Sequence, residues 1–280
     1  MIMRLRSSLV TPALHVQFVK ALEVGADAAI TDLEDSIPLD KKDEARRRAF
    51  APHRMPKLAL TRCLRINSPT TAHGIKDLAA LLEANDAPDV IHIPKVEAPE
   101  HVQMVESALA TKHPNIRYFA IIETAKGLSR ALEIAQASKK LDALIFGAGD
   151  FARDINVNIV WGNLAFARHA IVLAAAGAGI GAIDSPCFEI HNHRKLAEEC
   201  HMARQMGFSG KIAIHPNQVE TINQSFGPDK LSIEHARAIV EKSRQTDASI
   251  FVVNGQMIGP PIVHQAREML NHYADITEQP

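Results

Sequence analysis

Acidic side chains follow several of the short apolar segments of this sequence, at the point where each segment ends. Glu123 and Asp150 follow two successive segments, and Glu34 and Asp35 follow an earlier one. Carboxylates gathered at one place repel one another, and a divalent cation relieves that repulsion. Mg2+ binds through one or two carboxylates together with waters and substrate oxygens. The pattern predicts a metal site with Glu123 and Asp150 as ligands, and with Glu34 and Asp35 holding waters close to the ion.

One arginine and one lysine end two further apolar segments. The rigid guanidinium of Arg65 suits a substrate carboxylate or a developing oxyanion, which favours a catalytic and substrate-binding role. The alternative for Arg65 is a structural ion pair with Asp32 or Glu34. Lys95 has two equally supported interpretations, a contact with the substrate and a salt bridge at the same place.

Three other residues end apolar segments and are candidates for contact with a substrate. They are Pro12, Ser68 and Asp184. Asp184 suits a structural hydrogen-bond acceptor equally well.

Short apolar segments alternate with longer segments of helical periodicity, which is typical of a parallel sheet. The short segments are continuously apolar, as strands buried on both faces are. Eight such strands with intervening helices predict an α/β fold, a (β/α)8 TIM barrel, whose active site lies at the carboxyl ends of the strands. The predicted strands are Ser8–Thr11, Ala28–Leu33, Ala59–Ile66, Val90–Pro94, Tyr118–Glu123, Ala143–Phe146, Gly179–Ile183 and Lys211–Ile214.

Helices are predicted between these strands. Gly25 and Gly207 suit helix C-caps, and Pro99 suits a first helical turn. The charged run from Lys41 to Arg48 mixes both signs at helical spacing, which indicates a solvent-exposed helix face. The predicted helices are Ala13–Val24, Ile75–Ala84, Pro99–Thr111, Gly127–Ala137, Trp161–Ala176 and His193–Met206.

The alternating pattern changes after residue 216, so residues 1–225 are predicted to form the barrel and residues 226–280 a carboxyl-terminal extension. Asn254-Gly255 is a typical hairpin turn. We expect the extension to pack on the barrel or on a neighbouring subunit. The last predicted helix of the barrel is Pro216–Asn223. The predicted elements of the extension are a helix at Ser232–Thr246, a hairpin from Ser249–Val253, and a helix at Pro261–Tyr273.

Composition argues against several classes of protein. A net charge of −1, no basic stripe and only 5% aromatic residues argue against a nucleic-acid surface. No apolar run approaches the roughly 20 residues that span a bilayer, and the start does not resemble a signal peptide. The odd cysteine count, Cys63, Cys187 and Cys200, favours reduced thiols in a cytoplasmic protein.

Two motif-like groups have simpler explanations. His191 and His193 stand close together near a helix start, where exposed histidines are more common than metal ligands. Gly177, Gly179 and Gly181 precede a predicted strand, whereas a dinucleotide-binding loop follows one.

A set of motifs runs through most of the chain. They are Leu5-Arg-Ser-Ser-Leu9, Asp32-Leu-Glu-Asp35 with Lys42-Asp-Glu-Ala-Arg46, Leu64-Arg-Ile-Asn67, Ile93-Pro-Lys95, Ile122-Glu-Thr-Ala125 with Gly127, Ile145-Phe-Gly-Ala-Gly-Asp150, and Gly210-Lys-Ile-Ala-Ile-His-Pro-Asn-Gln218. Together and in this order, they resemble the citrate lyase β-subunit-like group of the HpcH/HpaI aldolases and the malyl-CoA and citramalyl-CoA lyases.

The resemblance implies roles for the acidic and basic candidates. Glu123 and Asp150 match the metal-ligand carboxylates of the family, Arg65 matches its catalytic arginine, and Glu34 and Asp35 match its acidic pair, which we count as catalytic. Members use Mg2+, or Mn2+ in its place, and act on CoA or acyl-carrier thioesters as trimers or hexamers. We therefore expect a homotrimer or homohexamer that takes a CoA thioester.

One departure from the family pattern bears on the reaction. Gly259 stands where the family has an Asp that handles the proton of the acetyl-thioester methyl group. Three functions stay open. The resemblance favours a Mg2+-dependent lyase that cleaves citramalyl-CoA or malyl-CoA to a 2-oxo acid and acetyl-CoA. Gly259 favours a free-acid aldolase that releases pyruvate, and the third function is a weakly active subunit or binding protein.

Overall fold

Eight parallel strands close into one barrel in the computed structural model of the protein, which describes residues 5–15, 23–50, 60–227, 230–246 and 248–277. The strands follow one another around the ring, and β1 closes it by pairing with β8. The (β/α)8 prediction is confirmed, and each predicted strand agrees within two residues. The strands are β1 (Ser7–Pro12), β2 (Ala28–Asp32), β3 (Thr61–Arg65), β4 (Val90–Ile93), β5 (Arg117–Ile122), β6 (Leu141–Phe146), β7 (Gly181–Asp184) and β8 (Gly210–Ala213).

Helices cover the outside of the ring. Thr71 caps α2 by accepting a hydrogen bond from Gly74, and Asn192 caps α8 in the same way through Lys195. Gly207 ends α8 in a left-handed conformation, as predicted. The helices are α1 (Lys42–Ala49), α2 (Ala72–Glu83), α3 (Pro99–Leu109), α4 (Ala125–Ser129), α5 (Ala131–Ala135), α6 (Ala148–Asp154), α7 (Trp161–Ala178), α8 (His193–Met206) and α9 (Val219–Phe226).

The observed helices differ from the predicted ones at two places, and a third prediction is largely untested. The single helix expected at Gly127–Ala137 is two short helices, α4 and α5, separated at Arg130. Helix α6 was not predicted, because Gly147 and Gly149 resemble loop residues and the helix has only seven residues. The helix predicted at Ala13–Val24 lies largely outside the described residues.

Apolar side chains from alternate strand positions fill the inside of the barrel. Ile30, Phe119, Ile145, Ile183 and Ile212 belong to this inner cluster. A larger apolar layer lies between the strands and the helices. The barrel is therefore a packed core rather than a pore, and side chains at its carboxyl end stand on a rigid floor.

The chain divides into two compact units, residues 1–226 and residues 227–280. The second unit contains α10 (Lys230–Gln245), strands β9 (Phe251–Val253) and β10 (Gln256–Ile258), and α11 (Pro260–Thr277). Asn254 and Gly255 both have positive φ, as a tight two-residue hairpin requires, so the predicted hairpin is confirmed. The packing of this unit on the barrel or on another subunit stays a prediction.

The three cysteines are buried and free. Cys63 lies in β3, as predicted, where burial raises the pKa of its thiol, so it is a poor nucleophile. No helix within the described ranges is both long enough and apolar enough to cross a membrane.

Gly210 lies at the start of β8, where the barrel closes against β1 and leaves no room for a side chain. A Cβ atom at Gly210 would overlap the carbonyl oxygens of Leu5 and Arg6, because β8 passes close to the chain entering β1. We expect Gly210→Ala to lower the free energy of unfolding by about 1–3 kcal/mol. Gly162→Ala, in α7 with open space around it, is the control, and it should be neutral or stabilising. Equal urea midpoints for the two variants would contradict this view of closure.

Candidate metal and substrate site at the carboxyl ends of the strands

The structure brings four carboxylates from three strand ends around one lysine. Glu34 and Asp35 follow β2, Glu123 follows β5, and Asp150 lies in the first turn of α6 after β6. We call these four residues the acidic cluster. Glu34 and Glu123 are buried, whereas Asp35 is exposed. The mutual repulsion that the sequence predicts is present, because both Glu34 and Asp150 raise the pKa of Glu123.

Lys95 links the members of the acidic cluster. Its Nζ donates a short hydrogen bond to Glu34 Oε1 and lies 3.2 Å from Asp35 Oδ1 and 3.3 Å from Asp150 Oδ2. Its backbone N–H donates to Glu123 Oε1 at 2.7 Å. The backbone of Lys95 is left-handed, with φ of 52°, a strained conformation for a residue with a side chain. This conformation lets the main chain of Lys95 contact Glu123 while its side chain contacts Glu34, Asp35 and Asp150. The structure thus contains the salt bridge that was one of the two interpretations of Lys95.

Glu123 has the properties expected of an anion that awaits a cation. Burial, with the repulsion from Glu34 and Asp150, raises its pKa to about 8. Its side chain packs directly against Gly147, where a Cβ would lie 2.5 Å from Glu123 Oε2, so this position of Glu123 depends on glycine at residue 147. A bound divalent cation would remove the cost of ionising Glu123, so the donor set fits Mg2+.

The acidic side chains of the described residues would supply only part of the coordination of such an ion. No group of three or more His, Cys, Asp or Glu side chains in the described part of the chain could hold a metal by itself. Two carboxylates with waters or substrate oxygens are what Mg2+ accepts, since it keeps several waters in most enzyme sites. Glu123 and Asp150 are the residues that would hold the ion.

Arg65 forms an ion pair with Asp32, one of the two partners that the sequence offered as a structural alternative. Its Nε and Nη2 donate to the two carboxylate oxygens of Asp32 at 2.6 and 2.8 Å, and its Nη1 lies 3.3 Å from Glu34 Oε2. Burial opposes the charge of Asp32, but Arg65 and a hydrogen bond from Ser36 hold the pKa of Asp32 below its usual value. Arg65 is therefore fixed in orientation, and it directs its third nitrogen toward the acidic cluster.

Helix α1 supports the acidic pair from beneath, which the sequence analysis missed. Lys42 Nζ donates to the carbonyl oxygens of Leu33 and Glu34 at 2.9 and 2.7 Å and to Asn67 Oδ1 at 2.6 Å. Lys42 and Arg46 are buried, so the prediction that this charged run is a solvent-exposed face is wrong for these two residues. Their spacing of four residues, which places them on one side of the helix, was the available signal.

The network continues to the loop after β3. Asp77 accepts hydrogen bonds from the backbone N–H and the side-chain amide of Asn67, both at 2.7 Å, and from Arg46 Nε at 2.7 Å. Asp77 has no exposed surface. The charges of α1 thus hold the ends of β2 and β3 in register with each other.

His92 is a second residue that the sequence analysis did not identify. It pairs with Arg65 across β3 and β4 and stacks on Phe119 at 5.1 Å between ring centroids, inside the barrel. Its buried Nε2 has no hydrogen-bond partner among the described residues. Burial, together with the positive charge of Arg65, lowers the pKa of His92 to about 3. A neutral ring therefore lies beside the ion pair of Arg65 and Asp32.

The three other predicted substrate contacts differ in their surroundings. Pro12 ends β1 and is partly exposed, and Ser68 is buried with its hydroxyl 3.1 Å from Thr70 Oγ1. Asp184 has no exposed surface, and its two carboxylate oxygens accept hydrogen bonds from Arg168 Nε at 2.8 Å and Lys211 Nζ at 2.6 Å. That arrangement favours a structural role for Asp184. We therefore assign Asp184 no part in the function proposed below.

Asp184 belongs to a second charged network, between the strands and the helices. Lys211 also lies 3.3 Å from Glu199 of α8 and has no exposed surface. Arg168 of α7 is stacked 4.0 Å from the ring centroid of Trp161 and 5.0 Å from that of Phe146. The network joins β7 and β8 to α7 and α8.

The buried pair should show strong coupling. Removing one charge takes a hydrogen-bonded partner from a fully buried ion, although Arg168 still contacts Asp184 and Glu199 still contacts Lys211. Asp184→Asn and Lys211→Met should therefore each lower the free energy of unfolding by about 1–3 kcal/mol. The double variant should lose less than the sum, with a coupling energy of about 0.5–3 kcal/mol by urea denaturation. The exposed pair Arg194–Glu198 is the control: Glu198→Gln should cost about 0.5 kcal/mol or less. Additive losses at Asp184 and Lys211 would contradict the pairing.

His92 predicts a pH dependence of stability. Its pKa is about 3 when folded and about 6.5 when unfolded, so below pH 6.5 the unfolded chain binds a proton that the folded protein does not. Stability is therefore lost as pH falls, by about 2 kcal/mol between pH 7 and pH 5 from this residue. His92→Phe, which keeps the stacking on Phe119, should remove that part of the loss, whereas the same substitution at exposed His169 should not. An unchanged profile in His92→Phe would refute the assignment.

Known proteins resemble this chain in sequence and in fold. Residues 10–216 match the family described as HpcH/HpaI aldolase/citrate lyase. The citrate lyase subunit beta of Escherichia coli K12 is 30% identical, over 95% of this chain and 92% of that protein. The mitochondrial citramalyl-CoA lyase of Rattus norvegicus is 29% identical, over 90% of this chain and 81% of that protein.

A solved structure resembles the fold over almost its whole length. It is CitE from Mycobacterium tuberculosis in complex with magnesium, acetoacetate and coenzyme A. It superposes with a TM-score of 0.83 at 28% identity, covering 97% of this chain and 98% of that one.

Proposed function

The chain belongs to the HpcH/HpaI aldolase/citrate lyase family and is a carbon–carbon lyase, and on that premise we propose its substrate and its metal. The substrate is a 3-hydroxyacyl-CoA of the citramalyl-CoA or malyl-CoA type, and the products are a 2-oxo acid and acetyl-CoA. The reaction requires Mg2+, for which Mn2+ can substitute.

The acidic cluster is the observation that carries this proposal. Glu123 is buried, has a raised pKa and packs directly against Gly147, and Asp150 is close enough to raise that pKa further. A buried carboxylate with a structural role would favour a full set of hydrogen-bond donors, whereas Glu123 accepts one hydrogen bond from the described residues, from the backbone N–H of Lys95. The magnesium and coenzyme A bound by the M. tuberculosis protein support the same choice of ligands.

The bond changes follow from the substrate. The hydroxyl proton leaves, the bond between the hydroxyl-bearing carbon and the α-carbon of the thioester breaks, and the hydroxyl-bearing carbon becomes the 2-oxo carbon. The thioester fragment then takes up a proton and becomes acetyl-CoA. When bound, Mg2+ lowers the pKa of the hydroxyl group and stabilises negative charge on oxygen.

Side chains around the acidic cluster supply the other requirements. Glu34 is the proposed acceptor of the hydroxyl proton, because burial raises its pKa and its Oε2, which lies 3.3 Å from Arg65 Nη1, accepts no hydrogen bond from the described residues. Asp35, more exposed, holds water beside it. Arg65, fixed by Asp32, presents its Nη1 to the enolate oxygen or to a substrate carboxylate. Lys95 binds the substrate carboxylate, and we place Pro12 and Ser68 at the edge of the same site.

Gly259 supports one alternative. The family Asp at this position is replaced by a residue with no acid–base group, and a Cβ there would meet only Pro261 Cδ, at 3.9 Å. A free-acid aldolase that releases pyruvate would not need to protonate a thioester enolate. A weakly active subunit of a larger complex is the other alternative, since the E. coli relative is itself named a subunit. Assembly as a homotrimer or homohexamer stays a prediction for each of these functions.

A panel of substrates separates these functions. The purified protein is incubated with both isomers of citramalyl-CoA, with malyl-CoA, with methylmalyl-CoA and with a free 4-hydroxy-2-oxo acid, first in Mg2+ and then in EDTA. We expect release of acetyl-CoA or propionyl-CoA that EDTA abolishes. Cleavage of the free acid alone would favour the aldolase, and no cleavage of any substrate would favour the subunit.

Removal of either proposed ligand should abolish most of the activity. Glu123→Gln and Asp150→Asn each remove one negative charge at the metal, and we expect kcat/KM to fall on the order of 10²–10⁴-fold. Glu133→Gln changes an exposed carboxylate that pairs with Arg130 and should leave kcat/KM unchanged. Near-normal turnover of a folded Glu123→Gln variant in Mg2+ would refute the metal assignment.

A further inference from the structure

The ammonium group of Lys95 lies among the carboxylates that a metal would use. It contacts oxygens of Glu34, Asp35 and Asp150, which come from two different strand ends. Asp150 is one of the two proposed metal ligands, and the oxygen that faces Lys95 is its Oδ2. In the protein without a metal, the side chain of Lys95 thus supplies the positive charge that offsets the acidic cluster.

We propose that Lys95 is the resident cation of the metal-free site and that a divalent cation must displace its ammonium group from Asp150 and Glu34. This inference rests on the proposed function, because it concerns the same metal site. It adds a competition between a side chain and the metal, which sets the metal concentration at which the site fills.

The contacts of Asp150 point to Lys95 as the group that a metal would replace. Its Oδ2 faces Lys95 Nζ at 3.3 Å, and its Oδ1 faces Arg153 Nη2 at 3.0 Å. The Arg153 side chain is exposed, whereas the Lys95 ammonium group lies among the other carboxylates of the acidic cluster, so a metal placed there would meet the contact between Asp150 Oδ2 and Lys95. A +2 ion and the ammonium group would also repel each other at such distances.

Lys95 is better able to move than Arg65, the other cation that contacts Glu34. Its four-carbon stem is flexible, about a third of its side chain is exposed, and it makes no rigid bidentate contact. Arg65, in contrast, is held to Asp32 through two nitrogens. Movement of the Lys95 side chain would leave its backbone hydrogen bond to Glu123 in place, so one proposed ligand stays oriented while the other is released.

Two states of the site follow. Without metal, the ammonium group keeps the carboxylates of the acidic cluster together, which preserves the site for the incoming ion. With metal, the ammonium group is free, and it becomes available to an anionic group of the substrate. Metal binding and the presentation of Lys95 to the substrate are then one event.

A direct metal titration tests the competition without measuring activity. Mn2+ is titrated into the metal-stripped full-length protein, and free Mn2+ is followed by electron paramagnetic resonance. Lys95→Met removes the competing charge and keeps the length of the side chain, so its Kd for Mn2+ should be at least about 10-fold lower than that of the wild type. The metal-free variant should also have a lower Tm and a larger rise in Tm with Mn2+, since tighter binding stabilises the folded state more.

Lys126→Met is the matched control. It makes the same change of charge at the same end of the barrel, in α4, but Lys126 is exposed and pairs with Glu97 instead of the acidic cluster. Its Kd for Mn2+ should equal that of the wild type. Glu123→Gln added to Lys95→Met should abolish the tight binding, which assigns the ion to this site. If Lys95→Met does not fold, Lys95→Gln is titrated instead, with the same expected direction.

The other outcomes are distinct. An unchanged Kd in Lys95→Met would overturn the competition, and a higher Kd would instead make Lys95 a residue that positions the metal ligands. Either result leaves the proposed function standing, provided that the wild type binds Mn2+. No binding by the wild type or by the variant would overturn the metal site and this inference together.

Discussion

Repulsion among carboxylates at one end of the barrel is the constraint that organises this protein. A (β/α)8 barrel directs the ends of its strands to one face, so acidic residues at those ends cannot avoid one another. Burial is the main reason that the pKa of Glu123 is raised to about 8, and the negative charges of Glu34 and Asp150 raise it further. Each positive group nearby has a position that reduces this repulsion: Lys95 lies between the carboxylates, and Arg65 faces Glu34 while it neutralises Asp32.

Charged residues on the inner and outer faces of the barrel have different roles. Asp32 and Arg65 point into the barrel, together with His92 and Phe119, and form its floor beneath the acidic cluster. Asp184 and Lys211 point outward and hold β7 and β8 to α7 and α8. Buried ion pairs of the second kind contribute little net free energy compared with apolar residues, but they penalise any packing that separates the partners. The outer network thus favours one arrangement of the elements, and the inner one prepares the site.

Continuous apolar runs made the strands predictable, because strands buried on both faces have no other pattern. The acidic cluster was predictable for a related reason, since Glu34, Asp35 and Glu123 come directly after such runs and Asp150 follows another run after Gly147-Ala148-Gly149. Lys42 and Arg46 were not, because a charged run is usually exposed and only the three-dimensional position of Asn67 and Asp77 gives these residues buried partners. Asp184 needed a rule of alternation: Ile183 belongs to the inner cluster, so its neighbour must point outward.

The left-handed backbone at Lys95 separates two tasks that one residue performs. Its main chain orients Glu123, while its side chain contacts the other carboxylates. The first task depends on a dihedral angle and not on the identity of the side chain. Residues that tolerate this conformation, such as glycine, asparagine and aspartate, could replace lysine in evolution without loss of that backbone contact. Position 95 is therefore a place where descendants of this sequence could acquire new metal or substrate preferences while the inherited scaffold of the site persists.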